Sequence, residues 1–386
     1  MNNIRPAGLL CLTFAGLLLA SFLLSASLQA QVLPKTRTRY IDVEARDRFE
    51  FGRTYANRCR DLIVKRYNFL LGSAPADECL RMLSKCRGVV SRYVPGGYND
   101  VVGLGETLGL KSDNIFLMGL LIPLWDLADF PGSTIALGPK HTADGKTWLA
   151  VNVDHELEQA PFGTVIRRRW KDHPTTLMWT LAGGMGFAGV NSSGLAVTAV
   201  WLKIDGEGIV PGVPGELIIQ EVLLQPDFDS ALAVLTNPDV TPPAASSFAV
   251  ILADKTGRMM LVERTPDAFS GAQAEKGRLV HTNHFLDRGF ARADLGGKNF
   301  PDSVARYRTL QNAIGAQEQF SLDQLKTLMS SHDGNPNGVC RHGVQKTIAS
   351  ILLCPNDGTL IVTQGNPCQG KWETFKLDDP VQKEIN

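Results

Sequence analysis

The chain has 386 residues, 44% of them hydrophobic and 20% charged, the make-up of a folded globular protein and not of a disordered or fibrous one. Lysine plus arginine balance aspartate plus glutamate, 39 against 39, so the formal net charge is zero and no basic field draws a nucleic acid. The length admits two domains, but no repeat and no Pro/Gly/Ser linker divides it, so a single domain over residues 31–386 is expected.

At the N-terminus Arg5 precedes an apolar run over residues 7–24, and small and polar residues then lead to Ala30-Gln31. A basic start, an apolar centre and a small residue before the break form a secretory signal, residues 1–30, expected to be removed. The run is also long enough for an uncleaved membrane anchor, the alternative, with the folded part outside the cytoplasm. The mature protein is accordingly expected to be secreted or periplasmic. Of the seven cysteines, Cys11 lies in this run, leaving Cys59, Cys79, Cys86, Cys340, Cys354 and Cys368. In an exported protein these suggest disulfides, with buried thiols as the alternative and no pairing favoured.

Residues 46–94 read as helical, with Leu62, Ile63, Tyr67, Leu70 and Leu71 at helical spacing, until Pro95-Gly96-Gly97 breaks the pattern. Residues 99–120 continue as helix, interrupted at Gly109. From Ser133 the character turns to β: residues 133–137, a turn at Asp144-Gly145, then a returning strand over 148–153. Arg167-Arg168-Arg169 reads as a solvated strand end. Strands are expected over 176–181, 188–190 and 195–202, helices over 216–224 and 228–235, and a hairpin over 248–252 and 259–263. Helices return over 302–314 and 322–329, and strands over 347–353 and 359–363 close the chain. Hairpins interleaved with helix pairs indicate antiparallel sheets covered by helices, an α+β protein and not a doubly wound parallel sheet.

Several short motifs mislead. Gly184-Met185-Gly186-Phe187-Ala188-Gly189 matches GxGxxG, but a strand follows where a dinucleotide site needs a helix N-terminus, so it reads as a turn. His281, His284, His342 and Cys340 contain an HxxH spacing without HExxH or paired CxxC, and strand ends account for them as well as a metal does. The GxSxG elbow of serine esterases is absent. No metal and no organic cofactor is expected.

Gly132-Ser133-Thr134 sits where the helical third gives way to the β-rich remainder. That is where an N-terminal-nucleophile enzyme cuts itself, before a Ser, Thr or Cys that becomes nucleophile and base together. A serine hydroxyl is weak until a base takes its proton. A freed α-amino group, with a reference pKa of about 7.7–8.0, can do so at neutral pH. Gly132 keeps bulk away from the carbonyl to be attacked. Alone, the tripeptide is a common surface sequence.

The chain carries Gly132-Ser133-Thr134, Asp144-Gly145-Lys146, Asn152-Val153-Asp154, Asn191-Ser192-Ser193-Gly194-Leu195, His281-Thr282-Asn283-His284, Cys340-Arg341-His342 and Gly365-Asn366-Pro367-Cys368 in that order. In this series it resembles the acyl-coenzyme A:6-aminopenicillanic acid acyltransferase (C45 peptidase) family of N-terminal-nucleophile hydrolases. The resemblance implies a four-layer αββα sandwich and self-cleavage between Gly132 and Ser133, giving an α chain 31–132 and a β chain 133–386. It implies hydrolysis or acyl transfer on a linear amide or small acylated amine. Ser133 would attack the carbonyl, Asp154 would orient the new amino terminus and Asn283 would donate to the oxyanion. Arg341 would pair with Asp154 or help position the nucleophile, and Asn152 is a further candidate on the same strand end. Turn capping and a surface ion pair are the structural alternatives for Asn152, Asp154 and Arg341. Two departures stand out: serine replaces the usual cysteine, and the family's Asn-x-Arg-Thr-Glu pattern ahead of the cut gives way to apolar residues 120–127. The rival readings are a choloylglycine-type lipid or bile-amide hydrolase and a catalytically inactive exported binding protein that keeps the fold.

Overall fold

A computed structural model describes residues 37–71, 76–110, 132–202, 204, 210–237, 239, 241–290, 301–343 and 345–380. The expected signal or anchor and the apolar stretch 120–127 lie outside them. Among the described residues no helix is long and apolar enough to cross a membrane.

The strands that carry the fold are buried along their whole length, as in β2 (Gly132–Leu137), β5 (Thr176–Leu181) and β7 (Leu195–Trp201). A strand with both faces dry needs a layer on each side. The layers are two sheets and the helices that cover them. The first sheet runs in the order β1 (Arg39–Glu44), β4 (Gly163–Arg169), β5, β6 (Ala188–Asn191), β7, β8 (Phe248–Asp254), β9 (Met259–Arg264), β10 (Phe269–Gln273). The second runs β11 (Arg278–His281), β2, β3 (Trp148–His155), β12 (Lys346–Cys354), β13 (Thr359–Gln364), β14 (Trp372–Lys376). Their inner faces meet where Thr134 Oγ1 lies 2.7 Å from Thr198 Oγ1. Helices α1 (Arg48–Leu71), α4 (Gly215–Leu223) and α5 (Phe228–Thr236) pack on the first sheet; α3 (Pro95–Leu108) packs on α1, and α2 (Ala76–Tyr93) adjoins α3. Helices α6 (Pro301–Ala316) and α7 (Leu322–Met329) close the second sheet. The chain is the α+β, four-layer αββα sandwich expected.

Period-2 alternation decides what each strand shows to each layer. On β2, Ile135 and Leu137 enter a core with Leu310 and Ile314 of α6 and Leu325, Leu328 and Met329 of α7, joined by Trp148 and Ala150 of β3. Each such buried side chain stabilises the packing by about 1.5–3 kcal/mol. Ser133 shares that helix-facing side of β2, and Asn152 and Asp154 share the same side of β3. Helix α7 starts sharply because Ser321 and Gln324 form a reciprocal capping box, Ser321 Oγ accepting from Gln324 N and Gln324 Oε1 from Ser321 N.

Pro95 does not end the helical region. It opens α3 at a first-turn position, where its missing N–H costs nothing. Gly52 of α1 and Gly103 of α3 let the two helices touch backbone to backbone; a Cβ at either would overlap the other helix. The arginine run, expected as a solvated strand end, is buried at Arg167 and Arg168. Arg167 makes a bidentate contact with Asp42 at 3.0 and 2.7 Å, and Arg168 stacks 4.2 Å over Phe51 while donating to Met185 O. The partner that buries them, β1, has no clear sequence signal and pairs with β4 in parallel. No described cysteine forms a disulfide: Cys59, Cys86, Cys340, Cys354 and Cys368 are free thiols.

The glycine-rich segment leads into β6 and not into a helix. Glu216, at the start of α4, accepts the Met185 N–H at 3.0 Å, and a Cβ at Gly184 would press on Glu216 Oε2. Burial pushes the Glu216 carboxyl up to about 7, against the hydrogen bonds from Met185 and Gly186 and the nearby charge of Arg66. A raised folded-state pKa favours the protonated form. Its contribution to stability is complete below pH about 4.5 and is lost as pH rises through about 7, a difference of about 3 kcal/mol. Glu216→Gln is expected to flatten the stability profile over that window relative to the parent, read by urea unfolding at a series of pH values. Equal slopes in the two proteins would contradict this.

Candidate active site

Ser133 occupies the second position of β2, fully buried, paired in register with Asn152 of β3. A Cβ on Gly132 would stand 3.0 Å from Asn152 O and 3.1 Å from Val200 Cγ1, so a larger residue could enter only by moving the strand or Val200. The Gly132 N–H donates to Asn283 Oδ1 at 2.8 Å.

The side chain that organises this corner is Arg306, buried on α6. Its Nη1 donates to Ser133 Oγ at 2.9 Å and also to the Gly132 carbonyl. Its Nη2 donates to Asn283 Oδ1 at 2.9 Å and to Asp302 Oδ2 at 3.1 Å, one helical turn earlier. A planar fork of donors can serve four acceptors in this way, where a point charge could not. One guanidinium therefore touches both the hydroxyl and the carbonyl that flank the Gly132–Ser133 peptide bond. Burial loosens its hold on the proton, opposed by Asp154 and Asp302.

Asp154, also fully buried, accepts Thr347 Oγ1 at 2.6 Å through Oδ1. Its Oδ2 has no hydrogen-bond partner among the described residues. Desolvation raises its pKa, while the charges of Arg341 and Arg306 pull it down. Of the two roles expected for Arg341, pairing with Asp154 or helping to position the nucleophile, no direct hydrogen bond to Asp154 is found, and its Nη1 contacts Asp302 Oδ2 at 2.9 Å. Both members of that pair are largely shielded, so it is no surface ion pair. Arg306 and Arg341 thus face Asp302 and Asp154 as two cations against two acids.

Asn283 belongs to the cluster, with its carbonyl side facing Gly132 N and Arg306. Its Nδ2 donates one of its two protons to Trp201 O at 2.9 Å. Asn152 is a clamp: Nδ2 donates to Met329 O at 2.8 Å and Val339 O at 2.9 Å, pinning the segment that leads into Cys340 and Arg341. Neither Asn152 nor Asp154 caps a turn.

The four residues weighed as a metal set part company. His281 bonds Glu263 Oε1 at 2.7 Å, and His284 Nδ1 lies 2.9 Å from Ser303 Oγ, with burial pushing His284 down to about 4. That Ser303 hydroxyl accepts the Asn283 N–H at 2.8 Å, which makes it a support for Asn283. Sequence reasoning missed Arg306, Asp302 and Ser303. The available signal was the spacing of four between Asp302 and Arg306 on an expected helix.

The pattern of the acyl-coenzyme A:6-aminopenicillanic acid acyl-transferase family matches residues 142–369. The chain belongs to this family. The matched region holds Asp154, Asn283, Arg306 and Arg341 but starts after Ser133. A family relative, the 40 kDa form of acyl-coenzyme A:6-aminopenicillanic-acid-acyltransferase from Emericella nidulans, is 28% identical over 317 residues, 76% of this chain and 82% of that one. Among solved structures, a variant of the conjugated bile acid hydrolase from Clostridium perfringens aligns over 66% of this chain and 100% of its own, at 15% identity and a TM-score of 0.41. Penicillin V acylase from Agrobacterium tumefaciens aligns over 64% of this chain and 86% of its own, at 13% identity and a TM-score of 0.43. Membership in the family supports an enzyme of the acyltransferase class.

Proposed function

We propose that the chain is an exported amidohydrolase or acyltransferase acting on linear amides or small acylated amines through Ser133, exposed by its own cleavage. The observation that carries the reading is the double grip of Arg306 on Ser133 Oγ and the Gly132 carbonyl. In the uncut chain Ser133 Oγ attacks the Gly132 carbonyl carbon. The carbonyl oxygen takes up negative charge against Arg306, and the C–N bond breaks as the Ser133 nitrogen gains a proton. The resulting ester is hydrolysed, which releases Gly132 as a carboxylate and leaves Ser133 with a free α-amine.

That amine then serves as the base for the adjacent hydroxyl, and a substrate carbonyl takes the place the Gly132 carbonyl held. Ser133 carries the acyl group as an ester, and water or an acceptor amine removes it. Asp154 supports the new amino terminus: its Oδ2, without a hydrogen-bond partner among the described residues, supplies a buried acceptor for the N–H groups of the freed amine. Arg306 supplies the oxyanion donor, a contact of a kind often worth about 3 kcal/mol. Asn283 holds the acyl side in register, and Arg341 acts through Asp302. No cofactor takes part in these steps.

Intact mass measurement and N-terminal sequencing of the purified mature protein test the reading. Two polypeptides are expected, one starting near residue 31 and one at Ser133. A single polypeptide that is fully active on amides would overturn self-activation, and a single inert one would favour the binding-protein reading.

A further inference from the structure

The Cys340-Arg341-His342 and Gly365-Asn366-Pro367-Cys368 stretches have no part in the reaction beyond Arg341, yet they fold against each other. With His332, from the loop after α7, they bring four ligand-type side chains together. One donor atom from each of His332, Cys340, His342 and Cys368 lies within 4.8 Å of all the others. The two sulfurs are 3.7 Å apart, the two Nε2 atoms 3.1 Å, and His342 Nε2 stands 3.5 Å from Cys340 Sγ and 3.3 Å from Cys368 Sγ.

We propose that these four side chains form a structural zinc site. Around a tetrahedral Zn2+, with bonds of about 2.3 Å to sulfur and 2.0–2.1 Å to nitrogen, the edges are about 3.8 Å for S–S, 3.6 Å for S–N and 3.3 Å for N–N. Four of the six edges follow these values to within a few tenths of an ångström, and the two from His332 to the sulfurs lie within 4.8 Å. A disulfide would need the sulfurs at about 2.0 Å and would leave the two imidazoles converging on nothing. A polar neighbour stands behind the cluster: Asn366 Nδ2 lies 3.7 Å from Cys340 Sγ.

Two sulfurs and two nitrogens select zinc over the oxygen-loving cations. Binding replaces the two thiol protons, which leave to solvent, and takes up both imidazoles neutral. Four protein ligands leave no open position for water or substrate, so the ion holds structure and activates nothing. What it holds is specific. Arg341 lies between two of the ligands, and Asn366 Nδ2 donates to Arg341 O at 2.6 Å. The site ties the loop that delivers Arg341 to the end of β13, and it stands whether or not Ser133 is the nucleophile.

The test uses full-length mature protein purified without chelator. Elemental analysis is expected to find about one zinc per chain, and exchange with Co2+ is expected to give the intense visible bands of a tetrahedral thiolate site. Cys368→Ser and His332→Ala change exposed residues, and each is expected to weaken zinc binding by more than about 100-fold. Chelation should lower the melting temperature of the parent and leave the two variants unmoved. The proposal is overturned if denatured protein shows two thiols withheld from alkylation until reduced, the mark of a Cys340–Cys368 disulfide. It is equally overturned if reduced protein binds no Co2+ and alkylates at the same rate with and without added zinc.

Discussion

Ser133→Ala is expected to stay a single polypeptide and to lose amide turnover by about 10^4-fold or more, because one atom is nucleophile in both the cut and the reaction. The loss should not come from misfolding. Ser133 Oγ accepts one bond, from Arg306, and that guanidinium keeps Gly132 O, Asn283 Oδ1 and Asp302 when the hydroxyl is gone. Removing one acceptor from a buried donor costs about 1–3 kcal/mol, a shift in melting temperature and not a collapse. Ser133→Cys is the informative partner. The thiolate is the better nucleophile, so this variant is expected to process and to hydrolyse amides. Denaturing gels follow the cut, and a panel of short polar and long-chain amides follows turnover and separates the proposed substrates from lipid or bile amides. Amide hydrolysis retained in uncut Ser133→Ala would refute the mechanism.

The site was legible in sequence to different depths, and the reasons are physical. Strand alternation and turn residues mark β2, β3 and β12, so Ser133, Asn152 and Asp154 could be placed on neighbouring strands. What alternation cannot give is the partner across a layer. Arg306 reaches Ser133 from α6, 173 residues away in sequence, and nothing local announces that contact. The resemblance implies that Arg341 pairs with Asp154 or helps to position the nucleophile; the acid it touches, Asp302, comes from the helix between them in sequence. The same blindness hid the burial of Arg167 and Arg168, whose shelter comes from β1 and α1 far upstream. Cys340, His342 and Cys368 were visible as motif pieces, whereas His332 belongs to no motif and joins them only through the loop after α7.

Arg306→Lys should separate a positioning charge from a shaped donor. Lysine keeps the positive charge between Asp154 and Asp302 but offers three protons from one nitrogen, and it cannot span Ser133 Oγ, Gly132 O and Asn283 Oδ1 together. The carbonyl that develops charge during self-cleavage then loses its directed donor. Losing such a contact slows a step by about 10^2–10^3-fold. The precursor is therefore expected to accumulate and mature over a correspondingly longer half-time, while circular dichroism stays that of the parent. Arg306→Met goes further. It strands Asp302 with Arg341 as its one remaining cation and is expected to destabilise the fold by about 3–5 kcal/mol, the usual cost of breaking a buried pair from one side. A role confined to packing would show the opposite order, with Arg306→Lys processing at the parent rate at matched stability. The half-time of precursor disappearance, read against the unfolding midpoint of each variant, decides between the two.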